Sequence, residues 1–289
     1  MKLYFFLAVI FLTFSQTLGF TVDSIPPEGL KQAQYLSRTL PTDSISENCG
    51  GILSNATGGI VYNVLGPIQR NERCVWVLRG GRANSFSIDV LYKRNESDTQ
   101  LSATCFYHRA VTTNVKINST GLVTSITACN VVVITFSTGN NVSASATGLV
   151  LQYTATQGGS LSAASTDQII TPNDAPHLRY PLMSNYSNVE LSTFTYFSAN
   201  QNSTGASARE ISVTYIRNGL EAGCFDYLSV YYFNYTTLWQ KDETICEDVE
   251  TTVLTSQGPI LITFESDGSQ FGTGFHLIHS VIGGSECGL

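Results

Sequence analysis

The stretch PILITFESDGSQFGTGFHLIHSVI, residues 259–282, contains two apolar runs separated by a turn rich in glycine and carboxylates. Ile260, Ile262 and Phe264 alternate with their neighbours, which is the period-2 pattern of a β-strand with one face in a core. The strand then runs directly into an acidic turn that contains Asp267. An acidic residue in such a place either caps the turn or holds a ligand, and this stretch alone leaves both interpretations open.

Short runs of the same kind, rich in β-branched and aromatic residues, occur throughout the chain. They span residues 86–92, 131–136, 148–153, 191–197, 210–216, 227–233, 259–264 and 274–281. No amphipathic helix of convincing length interrupts them. The pattern predicts an all-β protein made of two antiparallel β-sandwich domains in tandem.

The composition supports two folded domains. The chain has 289 residues, of which 43% are hydrophobic and 13% are charged. This length accommodates two domains, and the apolar content is high enough for each to bury a core. The net charge is −7 at pH 7, and lysine and arginine form no cluster of five or more. Nucleic-acid binding is therefore not expected, because it requires a basic surface that contacts phosphates.

The N-terminus reads MKLYFFLAVIFLTFSQTLGF, with one lysine followed by an apolar run from Leu3 to Phe14. This run is shorter than the about 20 residues needed to span a bilayer. It predicts a secretory signal peptide over residues 1–19 that is removed near Gly19. An N-terminal membrane anchor is the alternative. We expect a secreted, extracellular protein, and no other stretch predicts a transmembrane segment.

Potential N-glycosylation sites agree with secretion. Seven asparagines stand in N-x-S/T with no proline between, a pattern typical of a glycosylated extracellular chain. They are Asn55, Asn95, Asn118, Asn141, Asn185, Asn202 and Asn234.

Seven cysteines in an oxidising compartment predict disulfides. Nearest-neighbour pairing gives Cys49–Cys74, Cys105–Cys129 and Cys224–Cys246, with Cys287 unpaired. The spacing alone does not prove this connectivity. Zinc binding is not expected, because no C-x-x-C occurs and the four histidines are scattered along the chain. His276 and His279 are three residues apart on one predicted strand, so they face opposite sides of the sheet.

The first half carries a set of motifs more specific than its strands. It contains CGG at Cys49, then NERCVW with Asn71, Cys74 and Trp76, and it closes with VVVITFSTGN and TGLVLQY. This order resembles the CUB domain family, whose pattern includes C-G-G, N-x-x-C-x-W and a closing strand ending in F-x-S-D. The match covers residues 49–154, here called domain 1.

The second half repeats the pattern more loosely. YPLMSNYSNVEL resembles the opening stretch, with Asn188 in the asparagine position and Leu191 where cysteine is expected. CFDYLSV and LITFESDGSQFGTGFHLIHS resemble the later motifs and the closing signature. The match covers residues 178–282, here called domain 2, which lacks both cysteines of the first CUB disulfide.

The remaining segments lie around these two domains. Residues 20–48 form a polar N-terminal lead-in, and residues 155–177 read as a linker rich in serine, threonine and glycine. Residues 283–289 form a short C-terminal tail.

The resemblance implies a jelly-roll-like sandwich and extracellular protein binding rather than catalysis. It also implies a calcium site in domain 2, since many members of the family bind calcium through a glutamate and two aspartates. Glu221, Asp226 and Asp267 occupy those positions, and Ser269 after Gly268 adds an oxygen of the kind that calcium prefers. In domain 1 His108 and Gly139 stand where aspartates are expected, so we expect no calcium site there.

Three functions are compatible with the sequence. The first is a secreted, non-enzymatic recognition or adhesion glycoprotein that binds a basic side chain of an extracellular protein partner. The second is a carbohydrate-binding or innate-defence lectin-like protein, since 14 tyrosines are present to contact sugars. The third is an accessory or truncated relative of a CUB-containing protease, because SVIGG near the C-terminus resembles the start of trypsin-like catalytic domains. No nucleophile, zinc-protease or phosphate-loop motif predicts an enzyme.

Overall fold

The computed structural model describes residues 40, 44–64, 66–79, 83–93, 98–107, 110–117, 123–143, 146–157, 165–182, 185–197, 210–246 and 250–282. The predicted signal peptide, His108 and Cys287 lie outside the described residues, as do the sequons at Asn95, Asn118 and Asn202. Within the described ranges, no helix has the length and apolar character needed to cross a membrane.

Domain 1 consists of two packed sheets. Its strands are β1 (Ile45–Ser46), β2 (Gly51–Leu53), β3 (Thr57–Tyr62), β4 (Arg73–Leu78), β5 (Ala83–Lys93), β6 (Thr99–Tyr107), β7 (Ala110–Lys116), β8 (Val123–Thr127), β9 (Val131–Thr138) and β10 (Leu149–Gln157). The outer sheet has the order β1-β3-β10-β5-β8, and the inner sheet has the order β2-β4-β9-β6-β7.

Domain 2 repeats this arrangement. Its strands are β11 (Asp167–Ile170), β12 (His177–Tyr180), β13 (Leu191–Tyr196), β14 (Glu210–Gly219), β15 (Tyr227–Asn234), β16 (Leu238–Ile245), β17 (Thr251–Ser256), β18 (Ile260–Glu265) and β19 (Gly274–Ile282). The inner sheet has the order β11-β13-β18-β15-β16, and the outer sheet has the order β12-β19-β14-β17. The all-β sandwich prediction is confirmed.

Short edge strands depart from the antiparallel pattern. β1, β2 and β11 pair in parallel with β3, β4 and β13. β1 lies in the segment predicted as a lead-in and β11 in the segment predicted as a linker, so each domain begins earlier than the predicted residues 49 and 178. Both segments are polar, and an edge strand needs few apolar side chains because half of its backbone faces outward.

Each domain has its own apolar core between its two sheets. Trp76, which the N-x-x-C-x-W motif singles out, is fully buried in the core of domain 1 beside Phe136. Phe264 occupies the position equivalent to Phe136 in the core of domain 2, since Ser192 pairs with it as Cys74 pairs with Phe136. The correspondence places Ser192, not Leu191, at the site of the missing cysteine.

The position equivalent to the motif asparagine is also one residue later in domain 2 than predicted. Asn71 has a left-handed backbone with φ of 55°, and Val189 has φ of 54° at the equivalent place. A β-branched residue is unfavourable in that region, whereas asparagine tolerates it. The predicted slot at Asn188 is therefore wrong by one residue.

A third apolar core lies between the two domains. Val75, Val77 and Val133 of one inner sheet pack in one cluster with Tyr231 and Trp239 of the other. Strand β9 is buried along its whole length, as is β18, because each inner sheet has a core on both faces. The two sandwiches therefore stack face to face through their inner sheets as four layers.

Polar contacts fix this interface. Arg79 forms a buried ion pair with Asp167, with a nitrogen-to-oxygen distance of 2.6 Å, and also donates to the carbonyl of Leu191. Trp239 Nε1 donates to Thr135 Oγ1 across the interface at 2.9 Å. These bonds satisfy groups that would otherwise be buried without partners.

The three predicted disulfides are confirmed: Cys49–Cys74, Cys105–Cys129 and Cys224–Cys246. The last two are not equivalent. Cys105 lies within β6, opposite Val132 of β9, whereas Cys224 precedes β15, the counterpart of β6 in domain 2. The two bridges therefore fasten different parts of two similar sandwiches.

Candidate functional site

Two loops at one end of domain 2 bring together the predicted carboxylates. Glu221 and Asp226 lie between β14 and β15, and Asp267 follows β18. One oxygen from each of the three lies within 4.8 Å of the others. Residues that are far apart in sequence thus form one acidic cluster, here called the carboxylate site.

The loops approach so closely because glycines stand where the backbones touch. A Cβ on Gly272 would lie 2.0 Å from the carbonyl oxygen of Gly219, a distance no side chain tolerates. Gly268 is different, since a Cβ there would make only ordinary contact with Val189. The close approach therefore depends on Gly219 and Gly272.

Asp226 is held rigidly at the bottom of the carboxylate site. It is fully buried, accepts a hydrogen bond from the Tyr186 hydroxyl, and accepts another from the Asp267 N–H at 2.8 Å. The Tyr186 hydroxyl also accepts the Glu221 N–H at 3.1 Å. Tyr186 thus connects both acidic positions, a role that its place in the stretch YPLMSNYSNVEL does not predict.

Ser269 joins the rim of the site. Its N–H and its hydroxyl both donate to Asp267 Oδ1, at 2.7 and 2.8 Å, and the hydroxyl lies 3.4 Å from Glu221 Oε1. Asp267 therefore does cap its own turn. It does so while its carboxylate remains beside two others, so the two interpretations of this aspartate are compatible.

Glu221 is the residue of the carboxylate site whose surroundings best fit a bound cation. The residue is 8% exposed, and its Oε2 is buried with no hydrogen-bond partner among the described residues. Burial, followed by the charges of Asp226 and Asp267, raises the pKa of Glu221. Burial also raises the pKa of Asp226, against hydrogen bonds that lower it. A cation with oxygen preference fits an orphaned carboxylate oxygen among like charges.

As far as its described residues show, domain 1 has the same scaffold without a cluster of three carboxylates. Thr138 Oγ1 accepts the Glu72 N–H at 2.8 Å, as Ser266 Oγ accepts the Glu190 N–H at 2.9 Å. Because Gly139 follows Thr138, it occupies the place that Asp267 has in domain 2. The sequence-based assignment of Gly139 to the aspartate position therefore agrees with the structure.

Counting from the cysteines does not transfer between the two domains. Cys105 lies within β6, whereas Cys224 precedes β15, the counterpart of β6 in domain 2. The assignment of a ligand position to His108, which lies outside the described residues, stays a prediction.

The carboxylate that does lie beside Gly139 is Asp98, just before β6. Its backbone carbonyl accepts the Gly139 N–H at 2.8 Å, and a Cβ on Gly139 would come 2.1 Å from Asp98 Oδ1. The Arg73 guanidinium shares this region, donating to the carbonyls of Glu72 and Thr138 and interacting electrostatically with Asp98. Domain 1 thus has a fixed cation from its own chain where domain 2 has carboxylates.

Comparisons with known proteins concern the fold. No family model and no curated protein matches the chain. Among solved structures, it is similar to the CUB1-EGF-CUB2 domains of human MASP-1/3, at 13% identity and a TM-score of 0.31, covering 78% of this chain and 100% of that one. It is similar to the CUB1-EGF-CUB2 domains of rat MASP-1, at 12% identity and a TM-score of 0.30, covering 80% and 99%.

A third similar structure is the full extracellular region of zebrafish Gpr126/Adgrg6, at 12% identity and a TM-score of 0.30, covering 83% of this chain and 38% of that one. Each half of the chain is a two-sheet β-sandwich, and the sequence motifs of both halves resemble those of the CUB family.

Proposed function

We propose that the chain is a secreted, non-enzymatic recognition protein that binds an extracellular protein partner through the carboxylate site of domain 2, in a calcium-dependent manner. The observation that carries the proposal is the buried, unpartnered Oε2 of Glu221 beside Asp226 and Asp267. Glu221, Asp226, Asp267 and Ser269 would hold the ion, which supplies the positive charge that three close carboxylates lack.

The surroundings of the site favour a basic side chain of the partner. Phe225 is 51% exposed next to Asp226, and Phe271 is 60% exposed two residues after Ser269. Exposed aromatic rings beside fixed carboxylates suit lysine or arginine, whose apolar stem packs on a ring while its charged end forms charge-assisted hydrogen bonds. We therefore propose a protein partner that presents such a side chain.

The lectin-like alternative has less support. The 12 tyrosines within the described ranges are all buried or half-buried, and eight of them are in the buried class. Those rings pack in cores and against sheets, so the tyrosine content does not form an exposed sugar-stacking surface there.

The exposed sequons agree with the secreted state. Asn55, Asn141, Asn185 and Asn234 are exposed in the structure. Together with three disulfides, this supports extracellular residence and glycosylation as proposals. Loss of apparent mass on glycosidase treatment of the secreted chain tests them, and recovery of an unmodified chain with free thiols would contradict them.

The partner proposal is tested by pull-down from extracellular fluid with the full chain, in calcium and in a chelator. The full chain is required because domain 2 alone would expose its apolar inner sheet. Asp267→Asn keeps an oxygen for the Ser269 turn but removes one charge. The exposed Asp242→Asn is the matched control, since it removes one charge from β16 away from the carboxylate site.

We expect capture in calcium, loss of capture in chelator and with Asp267→Asn, and normal capture with Asp242→Asn. Calcium at a hundredfold excess over its dissociation constant should stabilise the parent by about 2.7 kcal/mol in calorimetry. An unchanged melting temperature of the parent in millimolar calcium would contradict the metal site. Equal capture by both variants would contradict the partner site.

A further inference from the structure

Two histidines meet on the outward face of the outer sheet of domain 2. His177 begins β12 opposite Ile278 of the neighbouring strand β19, and His276 lies two residues before Ile278 on the same face. The Nδ1 of His177 lies 3.2 Å from the Nε2 of His276, and the rings are stacked with centroids 5.3 Å apart. Residues 99 apart in sequence therefore place two ring nitrogens at one point on the surface.

The separation of these nitrogens matches a metal chelate. Zinc binds imidazole nitrogen at about 2.0–2.1 Å in tetrahedral geometry, which puts two such ligands about 3.3 Å apart. We propose that His177 and His276 form a two-point site for a divalent cation of the zinc class, with water completing the coordination. Without metal, the same distance suits a hydrogen bond in which one ring donates to the other, so a proton and the metal compete.

The environment keeps the pair available. His177 is exposed and His276 is half-buried, so an ion reaches the nitrogens from solvent. Burial, followed by the charges of His177 and Arg179, lowers the pKa of His276, which favours the neutral ring that a metal requires. Arg179 lies opposite His276 on β12, and its positive charge opposes cation binding.

His279 provides an internal contrast. It follows His276 by three residues on β19 but faces inward, being 7% exposed with its Nδ1 buried and unpartnered among the described residues. Its charged neighbours are Asp174, which bonds the Thr171 backbone, and His177. His279 is therefore a histidine on the same strand that a surface ion does not reach.

The site also differs from the carboxylate site in chemistry. Imidazole nitrogens suit zinc, copper and nickel, whereas carboxylate oxygens suit calcium. Binding of a zinc-class ion is therefore expected to persist when calcium is saturating. The two proposals stand independently, because no ligand is shared between them.

The experiment is titration calorimetry of the full secreted chain with zinc chloride in a buffer saturated with calcium. We expect one zinc site in the parent and in Asp267→Asn. His177→Ala and His276→Ala should each weaken zinc binding more than the loss of an outer-shell partner does, which is about 10–100-fold. His279→Gln should leave the site intact, and Arg179→Gln should strengthen it because an opposing charge is gone.

Circular dichroism and the zinc-free melting temperature show that each variant is folded. His177→Ala and His276→Ala should leave both near the parent values, because both side chains are at the surface. The proposal is overturned if the parent shows no zinc-dependent heat, or if His177→Ala and His276→Ala bind zinc like the parent. It is also overturned if Asp267→Asn alone abolishes the signal, since the ion would then occupy the carboxylate site.

Discussion

Glu72 in domain 1 and Glu190 in domain 2 are held by the same kinds of group. Glu72 accepts the Tyr62 hydroxyl and the Gln69 N–H at 3.1 Å. Glu190 accepts the Tyr180 hydroxyl and, at 3.2 Å, the N–H of the residue three before it, the same spacing as in domain 1. A buried glutamate with a tyrosine and a backbone donor is therefore part of the scaffold that both halves share.

The charged groups that lie beside the two glutamates have opposite signs in the two domains. Next to Glu72 the Arg73 guanidinium bonds two carbonyls, and the Tyr235 ring of domain 2 lies 5.8 Å from it. Next to Glu190 the loops carry Asp267 and Asp226 instead. The difference shows that a few loop positions decide whether this end of the sandwich supplies its own cation or requires one from solution.

The halves also differ in how they hold each other. Arg79 and Phe197 occupy equivalent positions, since their N–H groups bond the ends of β2 and β11 respectively. Arg79 crosses to Asp167 of domain 2, whereas the Phe197 ring lies so close to Gly50 of domain 1 that a Cβ there would be 2.4 Å from it. One half contributes a charge to the interface and the other contributes an aromatic ring.

The largest expected effect comes from breaking the charged side of this interface. Arg79→Ala leaves the Asp167 carboxylate buried without its partner, which typically costs about 3–5 kcal/mol. We expect a corresponding fall in the free energy of unfolding, measured by chemical denaturation with the disulfides intact.

The control is the double variant Arg79→Met with Asp167→Leu, which removes both charges and keeps an apolar contact. Replacing a buried ion pair in this way is often neutral or stabilising. A single variant as stable as the parent would mean that the two domains do not depend on this pair.

The interface also shows what the sequence could reveal. The run VVVITF at residues 131–136 was correctly predicted as a strand, but its lack of alternation also indicated a strand buried on both faces. That signal predicts a partner surface on the far side of the inner sheet. It could not identify domain 2 as that partner, because contacts between residues such as Val133 and Trp239 depend on how two folded domains dock.

Two edge strands are not predicted, for a local reason. β7, with sequence AVTTNVK, and β17, with sequence TTVLTS, lie at sheet edges and carry many threonines. Threonine favours strands, but short polar edges lack the apolar alternation on which the prediction relied. The carboxylates of the site were predictable from the motif, whereas Tyr186 was not, because only the folded loops bring its hydroxyl to Asp226.

The second prediction tests Tyr186 against a tyrosine of domain 1 whose hydroxyl also donates to a buried carboxylate. Tyr186→Phe removes the donor to Asp226 and the acceptor of the Glu221 N–H, which should cost about 1–3 kcal/mol of stability. It should also weaken calcium binding by about 10–100-fold, since an outer-shell group that orients two ligands is gone. Calorimetry with and without calcium measures both.

Tyr62→Phe is the matched change in domain 1, because its hydroxyl donates to Glu72. We expect a stability loss of similar size with no change in calcium response. If both variants change the calcium response equally, Tyr186 acts only through general stability.

The third prediction concerns pH. The pKa values of Glu221 and Asp226 are raised in the folded chain. Their contribution to stability is therefore fully present below the ordinary carboxyl pKa and is lost as pH rises through the raised values. In a chelator, we expect stability to fall over that window, and we expect calcium to reverse the fall.

The pKa of Glu72 is raised as well, so domain 1 adds its own dependence of stability on pH. The contribution of the carboxylate site to the pH dependence of stability is the difference between the pH profiles of the parent and Asp267→Asn. The reason is that the Asp267 charge is one cause of the raised pKa values of both Glu221 and Asp226. The variant should have the flatter profile in chelator, measured as melting temperature against pH. Identical profiles would mean that the three carboxylates are not coupled.

The smallest expected effect on calcium response is that of Gly139→Asp, which gives domain 1 the aspartate of the closing motif. The new Cβ meets the Asp98 carboxylate, and Arg73 already supplies a cation there through its bonds to the carbonyls of Glu72 and Thr138. We expect about 1–3 kcal/mol of destabilisation from the crowding, and no additional calcium-dependent rise in melting temperature. Arg73→Gln combined with Gly139→Asp sharpens the comparison, because it removes the resident cation while keeping both acids. If the single variant gains a calcium response, then the opposite charges beside the two glutamates do not decide where calcium binds. If only the combined variant gains one, the Arg73 charge is what distinguishes domain 1 from domain 2.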